Sequence, residues 1–175
     1  MTPLNSRMAT RFGIAISALA ISATTTKAIY HWLADGTKYR VENASGNGVI
    51  YAGDLTYAVT GSRGIPTSAP ERAAASIDGT SRFLKNGTAM TPYYMICDHL
   101  GSVRTIVNAS STVQERNDYY LFGQRTTFGA SYVTLSASRL KFSEKEDQST
   151  VASSTLSYLD FGVKLYDPIM ITEKR

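Results

Sequence analysis

Residues 28–41 read Ala-Ile-Tyr-His-Trp-Leu-Ala-Asp-Gly-Thr-Lys-Tyr-Arg-Val, and this stretch decides the fold class. Apolar and aromatic residues occupy both of its ends, and the pair Asp35-Gly36 lies between them. Asp-Gly accepts the positive φ values that a tight hairpin turn requires. The stretch therefore predicts two antiparallel strands joined by a short turn.

The same arrangement recurs along the chain, with short apolar runs separated by turn residues at intervals of roughly ten. A second turn cluster spans residues 43–48, and residues 49–59 are typical of two strands around Gly53. Residues 102–107 and 112–116 flank a polar break and predict another hairpin. From Ala28 onward no long stretch shows the apolar periodicity of a helix. We therefore predict an all-β fold, in which successive antiparallel hairpins form a curved, open sheet.

The first 28 residues have a different texture, because Arg7 and Arg11 precede an apolar run over residues 12–21. This pattern is typical of a signal peptide, and a degenerate leading repeat explains it equally well. We expect this segment to be irregular or helical. The run is shorter than the roughly 20 residues of a spanning helix, so no membrane span is predicted.

The domain organisation follows from these patterns. We expect an N-terminal segment over residues 1–28, a β domain over residues 29–168 and a tail over residues 169–175. Residues 60–75 carry Pro66 and Pro70 among Gly, Ser and Ala, which predicts an exposed connection and an internal boundary.

Composition excludes several functional classes. Eighteen basic against fourteen acidic residues give a net charge of +4, and the basic residues are scattered, which favours a solvated surface over a nucleic-acid partner. The single cysteine, Cys97, excludes an internal disulfide, and two histidines exclude a three-histidine metal site. Phosphate-binding, serine-hydrolase and dinucleotide motifs are missing. We therefore predict no metal and no cofactor.

Four stretches in the second half of the chain carry a more specific pattern. Residues 98–104 read Asp-His-Leu-Gly-Ser-Val-Arg, and residues 119–123 read Tyr-Tyr-Leu-Phe-Gly. Residues 142–146 read Phe-Ser-Glu-Lys-Glu, and residues 162–168 end in Tyr-Asp-Pro. In this order they resemble the RHS repeat-associated core domain, whose motifs run close to DHLGS-x-R, Y-x-PFG, F-x-GKE and GARYYDP. The best match covers about residues 93–168.

The resemblance implies a structural role. In the RHS and related Tc-toxin families, repeated β-hairpins wall a hollow shell around a toxic segment. It implies a non-catalytic module of a secreted toxin or cell-surface system, located outside the cell, or in the cytoplasm if the first segment is not a signal. The residues that carry the motif here are Asp98, His99, Leu100, Gly101, Ser102, Arg104, Tyr120, Phe122, Gly123, Gly162, Tyr166, Asp167 and Pro168.

The chain also departs from the family pattern. The aspartates with which family members cleave themselves have no counterparts in residues 169–175, so we carry over no catalytic residue and expect a truncated member; a remnant of a self-cleaving core is the least favoured alternative. Leu121 replaces the family's proline, Glu144 its glycine, and Val163-Lys164 its Ala-Arg pair. A side chain in place of a positive-φ glycine costs about 1 kcal/mol.

Asp98 and His99 have both a catalytic and a structural interpretation. A carboxylate beside an imidazole can orient a general base. Neighbouring strand residues point to opposite faces, which favours the structural interpretation. We expect Asp98 to accept backbone N–H groups at a turn that Gly101 permits, and Arg104 to pair with a carboxylate on a neighbouring strand.

Aromatic residues leave a second functional interpretation open. Eight of them recur in the matched block, namely Tyr93, Tyr94, Tyr119, Tyr120, Phe122, Tyr158, Phe161 and Tyr166. They predict core and cross-strand pairs, and the alternative is a surface adhesion module that stacks on carbohydrate. The Asn-x-Ser/Thr triplets at Asn43, Asn86 and Asn108 fit either glycan acceptors or turn chemistry.

The open sheet predicts a protein partner. Unpaired N–H and C=O groups at a sheet edge are a template for pairing with another chain. We therefore expect self-association through the edges, or docking on a longer chain of the family.

Overall fold

The computed structural model describes residues 14–22, 25–62, 65–66, 71–78, 80–126, 134–149, 158–161 and 165–168. These residues are nearly all β, their sheets are antiparallel, and no α-helix occurs among them. The prediction of an all-β fold of successive hairpins is confirmed. The chain divides into two compact units, residues 1–72 with 149–156, and residues 73–148 with 157–175.

Unit 1 is a meander in which each strand pairs with the next one along the chain. Its main strands are β1 (Ile14–Ser22), β2 (Thr25–Leu33), β3 (Lys38–Glu42), β4 (Gly48–Ala52) and β5 (Leu55–Val59). Two short strands, β6 (Gly61–Ser62) and β7 (Ile65–Pro66), pair with each other, so the stretch expected to be a plain connection contains a small hairpin.

The expectation of an irregular or helical N-terminal segment is wrong for residues 25–28, which begin strand β2, and for residues 14–22. This stretch is strand β1, which pairs with β2 from Ile14 opposite Leu33 to Ser22 opposite Thr25. The physical reason is that β2 would otherwise present a long unpaired edge, and a run rich in Ile satisfies it. Residues 1–13 lie outside the described residues, and the choice between signal peptide and leading repeat stays open.

Unit 2 contains a second meander and a small sheet. The meander is formed by β8 (Glu71–Ser76), which begins two residues before the unit division, β9 (Ser81–Asn86), β10 (Ala89–Cys97), β11 (Val103–Asn108) and β12 (Val113–Arg116). The small sheet contains β13 (Glu146–Asp147), β14 (Leu159–Asp160) and β15 (Leu165–Tyr166). A single 3₁₀ turn over Phe142–Glu144 precedes it.

The two units bury different kinds of side chain. Unit 2 has an apolar core of Leu84, Tyr93, Met95, Val103 and Ile106. In unit 1, register places Tyr30, Val41 and Val49 side by side on one sheet face. The opposite face holds His31, Arg40 and Glu42, which are also buried. One face of that meander is therefore apolar, and the other buries charges.

One loop geometry recurs at five places in the part of the chain that the structure describes. The N–H of the first residue donates to the carbonyl of the fifth, and the N–H of the fourth donates to the carbonyl of the first. The fourth residue has positive φ, as in a type I turn followed by a bulge. The loops span residues 33–37, 43–47, 98–102, 108–112 and 120–124.

Side-chain chemistry reinforces three of these loops. Asn43, Asp98 and Asn108 occupy the first position, and the Oδ1 atom of each accepts the N–H groups of the third and fifth residues at 2.9–3.1 Å. The turn chemistry predicted for Asn43 and Asn108 is therefore confirmed. This repeat lies in the backbone, because the five sequences share few letters.

Candidate functional site

The loop over residues 98–102 is the first part of the site. Asp98 Oδ1 accepts the N–H groups of Leu100 at 3.0 Å and Ser102 at 2.9 Å, and Gly101 has a φ of +77°. The bonds predicted for Asp98 are present. The N–H of Ser102 is the largest cause that holds the pKa of the Asp98 carboxyl below its usual value, so the group is a charged acceptor at neutral pH.

Arg104 connects this loop to the end of strand β12. Its Nε donates to Asp98 Oδ2 at 3.0 Å, and its Nη1 donates to Asp118 Oδ1 at 3.4 Å. Arg104 therefore pairs with carboxylates, as predicted, but both of them lie in loops and not on a neighbouring strand. The reason is that the Asp98 loop folds back beside the start of β11, which carries Arg104.

His99 takes no part in these bonds. Its side chain is exposed, and no hydrogen bond between Asp98 and His99 occurs among the described residues. The two residues lie in a tight turn after β10 and not in a strand, so the expectation of opposite strand faces is corrected. Asp98 and His99 nevertheless act separately, as the structural interpretation predicted. The Asp98 carboxylate binds backbone N–H groups and Arg104, and not His99.

Residues 119–123 pack against residues 142–146 through an aromatic contact. The rings of Tyr119 and Phe142 meet edge to face with centroids 5.5 Å apart, and the Arg104 guanidinium lies over the Tyr119 ring, 5.5 Å from its centroid. Burial raises the pKa of Tyr119 well above its ordinary value. A Cβ at Gly123 would lie 2.7 Å from Phe142 Cδ1, so only glycine fits there.

Residues 142–146 also contact the Asp98 loop directly. Ser143 N–H donates to Ser102 Oγ at 3.1 Å, and Val103 N–H donates to the carbonyl of Lys141 at 3.0 Å. Glu144, where the resembled family has glycine, has a φ of +55°, which confirms that a side chain occupies a positive-φ position here. Ser143 has a positive φ as well.

The last stretch joins the cluster through Tyr166. Its hydroxyl donates to the carbonyl of Phe122 at 2.9 Å, and its ring contacts Phe161 with centroids 5.7 Å apart. Pro168 is buried. Burial, followed by the Asp167 charge, raises the pKa of Tyr166. Gly162 lies outside the described residues, so its predicted part in the motif stays a prediction.

The four motif stretches are therefore brought together, although they span seventy residues of sequence. We call the contacts among residues 98–104, 118–123, 142–146 and 165–168 the motif cluster. Its members hold one another through backbone hydrogen bonds, charge pairs and ring packing. In chemical terms it is a set of satisfied contacts: the Asp98 carboxylate already binds two N–H groups and a guanidinium.

The aromatic prediction holds for some residues and fails for others. Tyr93 is buried in the core and Tyr119 is packed. Tyr94, Tyr120, Phe122 and Phe161 are 39–45% exposed, which a place in the core did not predict, although Phe161 does pair with Tyr166. Alternation along β10 explains Tyr94, since its neighbours Tyr93 and Met95 point into the core. Tyr120 and Phe122 lie in a loop, beside Leu121, which is 91% exposed.

A buried polar cluster in unit 2 was missed by sequence reasoning. Glu115 is fully buried, and its carboxylate accepts Lys141 Nζ at 2.6 Å, Asn117 Nδ2 at 2.7 Å and the Leu135 N–H at 2.9 Å. Burial lowers the pKa of Lys141. The sequence carried little signal: Glu115 lies opposite the buried Ile106 across a β-bulge in the pairing of β11 with β12, and a bulge of this kind cannot be read from residue spacing.

Unit 1 has a second buried cluster that was also missed. Glu42 accepts His31 Nε2 at 3.1 Å and pairs with Arg40 through its other oxygen. All three residues are buried, with exposures of 6% or less. A cross-strand pairing of His31 with Arg40 places them together, and the sequence offered no sign that this sheet face is covered.

Two further findings bear on chemistry. Among the described residues, no group of three or more His, Cys, Asp or Glu side chains lies close enough to hold a metal ion. No helix in that part of the chain is long and apolar enough to cross a bilayer.

The fold is similar to segments of larger solved structures. The crystal structure of TcdB2-TccC3 matches with a TM-score of 0.61 and 15% identity. The same complex without its hypervariable C-terminal region gives 0.61 and 14%, and the Photorhabdus luminescens Tc holotoxin pore gives 0.63 and 15%. Each match covers 89% of this chain but only 8% or 9% of the other chain.

Comparisons at the level of sequence give no match, either to a protein-family model or to a curated protein. At identities this low, the structural likeness establishes the fold alone. The chain therefore has the fold of a short segment of these much longer Tc-complex chains.

Proposed function

We propose that the chain is a non-catalytic structural β-module of the RHS repeat-associated core type, which forms part of a shell wall or scaffold in a secreted toxin or cell-surface system. The observation that carries this proposal is the motif cluster. The stretches that resemble the family motifs are bonded to one another, as expected of groups whose task is to hold strands together.

The fold likeness to Tc-complex chains supports the same proposal. This chain spans less than a tenth of their length. As one segment of a wall it would need further strands beside it at both of its outer edges. Strand β12 ends the meander of unit 2 and β1 ends that of unit 1 among the described residues. Each offers an edge for a second copy or for a longer chain of the family.

An edge-blocking variant tests the proposal. Gln114 lies in β12, and a lysine there opposes edge pairing. Ala109→Lys is the matched control, since it adds the same charge in an exposed turn. By size-exclusion chromatography with light scattering, we expect concentration-dependent association of the wild type and of Ala109→Lys, and a weaker association of Gln114→Lys. A monomeric wild type at high concentration would count against edge pairing.

A second candidate function is a carbohydrate-binding adhesion module, and the exposed aromatics Tyr120 and Phe122 favour it. Tyr119 is packed against Phe142 and is not available for stacking on a ligand. The discriminating variant is therefore Tyr120→Ala with Phe122→Ala. Glycan-array binding by the wild type that this variant loses would support adhesion, whereas no binding by the wild type would remove this candidate.

A further inference from the structure

Glu115, Lys141 and Asn117 are arranged around a single oxygen atom. Glu115 Oε1 lies 2.6 Å from Lys141 Nζ and 2.7 Å from Asn117 Nδ2. The amine of Lys141 and the side-chain amide of Asn117 are therefore separated by no more than two short hydrogen bonds. All three side chains are at least 95% buried, so water does not compete for these contacts.

Backbone hydrogen bonds hold Asn117 and Lys141 beside the same strand, β11. The N–H of Asn117 donates to the carbonyl of Arg104 at 2.8 Å, and the carbonyl of Lys141 accepts the N–H of Val103 at 3.0 Å. Asn117 Nδ2 also donates to the Val103 carbonyl at 3.0 Å. Both residues are thus fixed beside the first two residues of β11, and a reaction between two groups is faster when they are held in place beforehand.

The amide of Asn117 is not fully satisfied. Its Oδ1 atom is buried and finds no hydrogen-bond partner in the described part of the chain. A buried acceptor without a partner costs free energy, so a purely structural asparagine would normally bond through both of its amide atoms. Burial also lowers the pKa of Lys141, which favours the neutral amine, the nucleophilic form.

We propose that Lys141 and Asn117 join spontaneously through an amide bond between Lys141 Nζ and Asn117 Cγ, with Glu115 as the proton carrier. The neutral amine attacks Cγ, and Glu115 Oε1 accepts a proton from Nζ. The same oxygen then delivers that proton to Nδ2, and the Cγ–Nδ2 bond breaks. One C–N bond forms, one C–N bond breaks, and one ammonia molecule leaves, so no oxidant or cofactor is required.

The cluster in unit 1 provides an internal contrast. Glu42 there binds a guanidinium and an imidazole, Arg40 and His31, and neither partner supplies an acyl carbon. Such a cluster can form only reversible bonds. In unit 2 the proposed bond would tie the segment before the 3₁₀ turn to the end of β12 covalently, which suits a wall element that must resist unfolding.

Intact-mass spectrometry of the purified full-length chain, fresh and after incubation, tests this proposal. We expect the wild type to weigh less than its sequence mass by one ammonia molecule. Digestion should give a branched peptide that joins residues 117 and 141, with no tryptic cleavage after Lys141. Lys141→Arg, which keeps a cation beside Glu115, and Asn117→Ala should both show the full sequence mass.

Two results would overturn the proposal. One is a wild-type chain at full sequence mass after incubation, with normal cleavage after Lys141. The other is an ammonia loss that persists in Lys141→Arg, because cyclisation of an asparagine that precedes glycine, such as Asn47 or Asn86, releases ammonia as well. The wild-type measurement decides the matter even if a variant fails to fold.

Discussion

Two loops at opposite ends of strand β11 have the same backbone hydrogen bonds and differ in the residues that contact them. Residues 98–102 precede the strand and residues 108–112 follow it, and each begins with a side chain whose Oδ1 atom binds two N–H groups. The first loop is contacted by Arg104, Ser143 and Glu144. The second is exposed, with Ser111 in place of glycine.

The comparison of the two loops shows which residues a turn of this kind uses by itself and which residues serve contacts with the motif cluster. A tight turn of this kind needs a residue that tolerates positive φ at its fourth position, and an oxygen acceptor on the side chain of its first residue reinforces it. Asn108 and Ser111 meet those needs without any distant partner. The carboxylate of Asp98 does more, because it also binds Arg104, which lies over the ring of Tyr119. Ser102, at the end of the same loop, accepts the N–H of Ser143. The residue types of the first loop therefore reflect contacts with residues far along the chain.

The largest expected effect is that of Asp98→Ala compared with Asn108→Ala. Each substitution removes two side-chain hydrogen bonds to backbone, but Asp98→Ala also leaves Arg104 without its shorter charge pair. For Asn108→Ala we expect a loss of about 1 kcal/mol in the free energy of unfolding. Asp98→Ala should cost more, as measured by urea unfolding. Equal losses would mean that the contacts to the rest of the cluster contribute nothing.

Acid should reduce the stability that Asp98 contributes to the first loop and leave the contribution of Asn108 to the second loop unchanged. The pKa of Asp98 is lowered in the folded chain, so its stabilising contribution is complete above the unfolded value of about 3.9 and is lost as pH falls through the lower folded value. The stability difference between wild type and Asp98→Asn should therefore shrink in acid. The difference between wild type and Asn108→Ala should stay constant, since asparagine does not titrate.

Gly101→Ser makes the fourth position of the first loop like that of the second. A Cβ at Gly101 would lie 3.5 Å from Glu144 Cγ, an ordinary contact, so only the backbone conformation is penalised. We expect a loss of about 1–2 kcal/mol in thermal or urea unfolding. Gly53→Ser, at a positive-φ turn with open space around it, is the control and should cost a similar amount. A much larger loss at Gly101 would indicate overpacking instead.

Glu144→Gly should stabilise the cluster beside the first loop. Glu144 has a φ of +55°, which an L side chain tolerates poorly, and glycine removes this strain for a gain of about 1 kcal/mol. Lys145→Gly is the matched control, because Lys145 has extended backbone with a φ of −86°. That variant should destabilise. A loss of stability in Glu144→Gly would show that the side chain contributes more than its backbone costs.

The smallest expected effect belongs to the second loop. Ser111 has a φ of +60°, so Ser111→Gly should stabilise by less than about 1 kcal/mol, since glycine also gains freedom in the unfolded chain. Ser110→Gly serves as the control and should be neutral or slightly destabilising. Calorimetric unfolding temperatures of the two variants give the comparison. A destabilised Ser111→Gly would contradict the assignment of strain at this position.

The sequence predicted those hairpins and turns whose geometry depends on residues close together in the chain. The hairpin around Asp35-Gly36 and the turn at Asn43 are confirmed, because turn residues act on their immediate neighbours. The bonds of Asp98 could be predicted for the same reason. The ion cluster around Glu115 could not, because it depends on Lys141, which is twenty-six residues away. Strand β1 was missed because its pairing with β2 outweighs the composition that suggested a signal or a helix.

Hydrogen exchange of the full chain tests the central claim, that the motif stretches form one structural unit. In the wild type, slowly exchanging amides in residues 98–104, 119–124 and 141–146 should open together, with similar free energies. Asp98→Ala should raise exchange in all three stretches, while residues 28–52 of unit 1 stay unchanged. Faster exchange confined to residues 98–102 would contradict the account, because the loop would then be an ordinary turn without a role in holding the cluster.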